Sequence, residues 1–233
     1  MKACFLVAFL FLTAPAIGQQ HSISVNYKPS LTYFGKQSQT FRHSHFASRK
    51  GDQTFNNAVN VLYDHRLSRK IGFTTGIEYA QLGQDINFNA DSVAPRNNRK
   101  ILHIELNYLR IPLTINYSIL QRKNAELILY SGVSFGLAIE RKDNYQYIIL
   151  ENILLPPAEK RYKEKDWAIP IGLNYKKELT ANIFANMGFE YLVGVTDAFS
   201  EESFSKFGVL SQFENSKQKR LALQFGLGFH LAK

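Results

Sequence analysis

In eight stretches of this 233-residue chain, apolar and polar side chains take turns one by one, a period that puts every apolar group on one face of an extended strand. The stretches lie near residues 22–34, 57–67, 70–83, 101–118, 125–140, 166–176, 181–195 and 219–231. In the third, Ile71, Phe73, Ile77 and Tyr79 alternate with Gly72, Thr74, Gly76, Glu78 and Ala80. The fourth changes phase: Leu102, Ile104, Leu106 and Tyr108 are even, whereas Leu109, Ile111, Leu113, Ile115 and Tyr117 are odd, which predicts a β-bulge near Tyr108. Pro112 and Pro170 each lack a ladder donor and predict local breaks in pairing. No stretch after the N-terminus is apolar for long enough to span a membrane as a helix. The fold expected is all-β: an eight-stranded antiparallel up-and-down barrel.

Alternation alone does not say which face is wet, since a soluble lipocalin-like barrel turns its apolar side chains inward around a hydrophobic ligand. Two features favour the opposite sense. The polar face is crowded with small residues, among them Gly76, Gly132, Gly172 and Gly228, which suit a narrow lumen better than a water-facing surface. The apolar face carries aromatics near the segment ends, Tyr63, Tyr117, Tyr175 and Phe229 at one end and Tyr33, Tyr79 and Tyr191 at the other, as two interfacial girdles would. The connections are alternately long (35–56, 84–100, 141–165, 196–218) and short (68–69, 119–124, 177–180). With both termini in the periplasm, all tight turns fall on that side and all long loops outside, the arrangement of a transmembrane β-barrel of a bacterial outer membrane.

The N-terminus supports export. Lys2, an apolar run from Ala3 to Leu12, then Pro15, Ala16 and Gly18 read as a signal peptide over residues 1–18, cut before Gln19, with residues 19–233 forming one barrel domain. The single Cys, Cys4, lies inside that peptide, so the mature chain is expected to hold no disulfide and no cysteine-ligated metal. The formal charge of +9 falls by one with Lys2. For an exported chain the counterions expected are anionic lipid headgroups and lipopolysaccharide phosphates, with no nucleic acid.

Four charged residues on the polar face, Lys28, Glu78, Arg110 and Glu190, are expected inside the lumen as structural ion pairs, because an unpaired buried charge costs several kcal/mol. They would close the bore; a small gated channel is the alternative. His43 and His45, with Ser44 and Ser48 nearby, lie where a lipid-modifying barrel could keep catalytic groups, but nothing in that stretch arranges a nucleophile, a base and an orienting group. No catalytic, cofactor-binding or metal-ligating residue is therefore assigned, and no cofactor is expected. The third long connection contains YIILENILLPP, read as an apolar rim patch or a strand extension.

The segment Tyr63 to Lys70, the strand end Gly76 to Tyr79, and Tyr108 to Leu113 follow one another in the order strand, basic turn, G-h-x-Y, aromatic-h-x-h-P-h. In this the chain resembles the Bacteroidota outer-membrane β-barrel domain family that includes PorT-like proteins. The resemblance implies a barrel without enzymatic activity, of structural, binding or secretion-accessory type, acting through external loops or the periplasmic rim. The last strand, with Phe225, Leu227 and Phe229 alternating, looks like the signal read by the barrel-assembly machinery, although it ends in Leu231, Ala232 and Lys233 in place of a terminal aromatic.

Overall fold

The computed structural model describes residues 21–34, 46–90, 100–146, 162–198 and 217–232. Their strands are β1 (His21–Phe34), β2 (Phe46–Arg66), β3 (Ile71–Ala90), β4 (Lys100–Arg122), β5 (Ala125–Gln146), β6 (Lys165–Glu178), β7 (Ile183–Asp197) and β8 (Lys217–Ala232). Each pairs antiparallel with the next, and β8 returns to β1 to close the barrel. The expected residues 1–18, and His43, Ser44 and His45, lie outside the described residues, as does YIILENILLPP. Ser48 falls within β2.

The alternation resolves into an inside and an outside. Along β1, Ser22, Ser24, Asn26 and Lys28 are buried, while Ile23, Val25 and Tyr27 stand exposed. The same sense holds around the ring, with Ile115 at 68% and Leu227 at 60% exposure. The apolar face is therefore outward, which excludes the lipocalin-like sense. Tyr79, Tyr117, Tyr175 and Phe229 lie on this outer face.

Two of the tight turns use the same chemistry. The Ser68 hydroxyl accepts from the backbone N–H groups of Lys70 and Ile71, and that of Thr180 accepts from Asn182 and Ile183. Each side chain thus satisfies donors that the turn would otherwise leave unpaired. The prolines interrupt the ladder without shifting it. The β3–β4 register skips Gly76 and Pro112, and the β5–β6 register skips Gly132 and Pro170, yet the pairing resumes in phase on either side.

The phase change in β4 has a different cause from the one the pattern suggests. The register against β5 does shift between Asn107 and Tyr108, with Ile139 left between paired neighbours. But β4 keeps its parity, and Ile104, Leu106 and Tyr108 point inward beside Arg110 and Thr114. The lumen itself changes from polar to apolar there. The strands β2 to β5 also run past the expected ends, reaching 20 to 23 residues against 14 to 16 for the other four. Outside the membrane neither face must be apolar, so the alternation fades in segments such as Lys50–Gln53 while the ladder continues.

A closed ladder of this kind resists detergent without heat. The folded chain should migrate faster on a gel unboiled than boiled; identical mobility of outer-membrane material in the two lanes would contradict closure.

Candidate functional site

Midway along the bore two separate clusters of ionisable residues form. Lys28 of β1 donates to Glu78 Oε2 of β3 at 2.9 Å and to Glu190 Oε2 of β7 at 2.8 Å. Arg220 of β8 donates through Nη2 to Glu78 Oε1 and Glu190 Oε1, both at 2.6 Å. Two cations and two carboxylates thus alternate across the bore, each side chain at most 5% exposed. Asn60 and Tyr130 complete the shell, donating to Glu78 at 3.2 Å and to Glu190 at 3.1 Å. Charge balance and hydrogen bonding together make such burial tolerable.

Arg110 lies elsewhere. It is the cross-strand partner of Glu78, yet its Nη2 donates to Asp166 Oδ2 at 2.5 Å, and the guanidinium rests 5.0 Å from the centroid of the Tyr108 ring. Asp166 also accepts from Gln218 and, at 2.9 Å, from Thr196. Of the four residues expected to share the lumen, three therefore meet and the fourth forms its own pair. Arg220 takes the place expected of Arg110. Both missed partners were within reach of parity: Arg220 lies two residues before inward Ala222, and Asp166 two before inward Ala168.

The reason Arg110 can leave its neighbour is a glycine. Gly136 stands between Arg110 and Asp166 in register, and a Cβ there would lie 3.3 Å from Arg110 Cζ. The missing side chain opens a slot through which Arg110 spans two strand spacings, roughly 9.5 Å. Gly172 does the same between Tyr130 and Glu190: a Cβ there would sit 2.2 Å from the Tyr130 ring.

Toward the long-loop end, beyond these pairs, Phe34, Leu82, Ile104, Leu106, Tyr108 and Leu192 are all at most 3% exposed and fill the bore. Arg141 and Asp143 of β5 hold Tyr162 beside this layer by hydrogen bonds of 3.1 and 3.0 Å. On the short-turn side a cavity of about 80 Å³ reaches up to Glu78, Glu190 and Arg220. It opens to a vestibule of about 770 Å³ whose lining includes Arg66, Arg69, Arg122, Lys123 and Lys176. The two carboxylates there are engaged, Glu126 by Arg66 and Ser118, Glu178 by His230 at 2.9 Å. Lys176 stands 3.7 Å from the centroid of the Phe184 ring. The lumen is thus a blind, cationic funnel, stopped by an ionic layer and then by an apolar one.

An eight-stranded closed barrel with a lipid-compatible outer face and a filled polar interior defines an outer-membrane β-barrel protein. The chain belongs to the outer membrane protein beta-barrel domain family, which matches residues 19–200. Among solved structures it is similar in fold to the outer membrane protein OprG of Pseudomonas aeruginosa, with a TM-score of 0.52, 10% identity, and coverage of 92% of this chain and 97% of that one. Two further likenesses are Neisserial surface protein A (TM-score 0.48, 9% identity, 91% and 99% covered) and Ail, the attachment invasion locus protein of Yersinia pestis, in complex with the heparin analogue sucrose octasulfate (TM-score 0.45, 11% identity, 92% and 100% covered). No curated protein matches this chain in sequence.

Removing one carboxylate leaves two buried cations sharing the other, with one charge uncompensated. Glu190→Gln is expected to destabilise the barrel by about 3–5 kcal/mol, whereas replacing all four quartet residues by apolar ones of similar volume should come out near neutral. Urea titration followed through Trp167, the single tryptophan, measures both. Gly172→Ala should cost about 1–3 kcal/mol by overpacking and much less in a Tyr130→Ala background; equal costs in the two backgrounds would remove the slot.

Proposed function

We propose that this protein is a sealed outer-membrane barrel without enzymatic activity, which binds or supports other components through its external connections or its periplasmic rim. The observation that carries this reading is the double closure of the bore, by the Lys28, Glu78, Glu190 and Arg220 quartet and by the apolar layer around Leu106. Among the described residues, the charged lumen side chains bond to one another and the bore is closed at two levels, which supports a structural over a catalytic or conducting lumen. Arg110 and Asp166 belong to the same structural role.

What remains for function is the two rims. The periplasmic mouth carries five cations and only two carboxylates, both already held, so it favours anionic partners. The resemblance to PorT-like proteins in Tyr63 to Lys70, Gly76 to Tyr79 and Tyr108 to Leu113 adds a secretion-accessory role to the structural and binding roles in this reading. Lipopolysaccharide phosphates are the counterions proposed for the net positive chain, and the barrel-assembly machinery reads β8 during insertion. Removal of residues 1–18, leaving a mature chain that starts at Gln19, is part of this reading.

Planar-bilayer recording separates this reading from a gated channel. Wild-type protein should give no steady conductance steps, and Glu78→Ala should stay closed because the apolar layer is intact. Opening should need a second change, such as Leu106→Gly in the same chain. Ohmic steps from the wild type would overturn the proposal.

A further inference from the structure

The vestibule at the short-turn end is lined by Arg66 and Arg69 around the β2–β3 turn, Arg122 and Lys123 where β4 turns into β5, and Lys176 of β6. These cations are not equivalent. Arg66 is engaged: its guanidinium donates to Glu126, to the Arg69 carbonyl oxygen at 3.0 Å and to the Ser118 hydroxyl at 3.4 Å. Gln121 of β4 donates to the same Arg69 carbonyl. The turn is thereby tied down from two strands, and the Arg69 side chain leaves the rim at a fixed point. Among the described residues, Arg69, Arg122, Lys123 and Lys176 have no carboxylate at ion-pair distance. Lys176 lines both the vestibule and the narrower cavity beyond it, with its ammonium group over the Phe184 ring. Asp64, on the wall of that inner cavity, is held by the Thr74 hydroxyl.

Charge and lining together define what fits. Five cations against two carboxylates give the vestibule wall a net charge of +3 with His230 neutral, and a blind funnel with low-dielectric walls concentrates that field. Its volume of about 770 Å³ is that of a small-molecule site, but such sites are usually lined by apolar and aromatic groups. Here Ala125 is the single apolar residue of the wall, and no Phe, Tyr or Trp lines it among the described residues. An acyl chain, a nucleobase or an apolar peptide side chain has nothing to pack against. Arginine forks and lysine ammonium groups are the side chains that recognise phosphate oxygens.

We propose that the periplasmic vestibule binds a soluble, phosphate-bearing small molecule. Arg69, Arg122, Lys123 and Lys176 contact the phosphate oxygens, while Arg66 and Gln121 are positioning residues that hold the β2–β3 turn. The site rests on the reading of this rim as a surface for anionic partners and gives those partners a chemical class. The ligand enters from the periplasm and stops below the quartet, so binding needs no passage through the bore.

The test uses the intact barrel folded in detergent micelles, each variant checked for heat-modifiability, and titrated calorimetrically with pyrophosphate. One pyrophosphate per barrel is expected, with an affinity that falls as salt rises. Arg69→Gln should weaken binding about 10-fold, and so should Lys176→Met, which keeps an unbranched stem over Phe184. Lys142→Gln at the long-loop end should change nothing. Absence of pyrophosphate binding, or an equal loss from Lys142→Gln, would overturn the site. Phosphatidylglycerol mixed into the micelles, or poly-aspartate in solution, should fail to displace pyrophosphate. Displacement by the lipid would overturn the soluble ligand in favour of membrane headgroups. Displacement by the peptide would overturn the phosphate chemistry and leave the rim a surface for anions, whereas binding of neither anion would overturn that reading of the rim as well.

Discussion

Everything in this barrel follows from the absence of water beside its outer wall. In hydrocarbon an unpaired backbone amide costs several kcal/mol, so the sheet must close on itself and the ladder must run unbroken around the ring. Closure then fixes parity, because the side chains of one strand alternate between lipid and lumen with no third choice. Parity explains why the prolines are accommodated as they are. Two pairs are missing from the ladder beside Pro112 and two beside Pro170, but neither proline shifts it, since a slip of one residue would turn Ile111 or Ile171 inward and their polar neighbours out to lipid.

The second constraint is the narrowness that closure imposes. Eight strands leave an interior that side chains can fill. Lys28, Arg220, Glu78 and Glu190 come from β1, β8, β3 and β7, so the quartet ties together strands that do not all pair directly. Its worth lies in this cross-bore connection more than in net stability, because a neutral quartet roughly balances the desolvation of its members. The apolar layer above it has no such balance to keep and closes the bore by packing alone.

The fold was legible because the lipid-facing stretches carry the two-residue period with little interruption, and the number, order and sidedness of the strands followed from it. The strand ends were less so. Beyond the membrane the ladder of β2 and β3 continues through polar residues, where no face needs to be apolar and the pattern has nothing to mark. Inside the lumen, parity identified Lys28, Glu78 and Glu190 as inward, but not that Arg110 would reach past its partner. That depended on Gly136 in the next strand, a residue whose relevance lies in what it lacks. The apolar run Ile104, Leu106, Tyr108 suggested a bulge that would turn it to lipid, whereas it plugs the lumen. A period tells which residues share a face, and only closure of the ring tells which medium that face meets.

The glycine slots have an implication for how such a barrel can change over generations. Tyr130 needs Gly172, and Arg110 needs Gly136, although neither pair is adjacent in the chain and each glycine has no side chain to contribute. A larger residue at the glycine is tolerated only after its long neighbour has shortened, and a long residue is useful only once the slot exists. Lumen positions are therefore expected to drift as linked couples, in a fixed order of steps, whereas lipid-facing positions can exchange one apolar side chain for another independently. Related barrels could in this way keep their strand number and lose nearly all recognisable likeness on the outside, while the inner rows record which couple was replaced first.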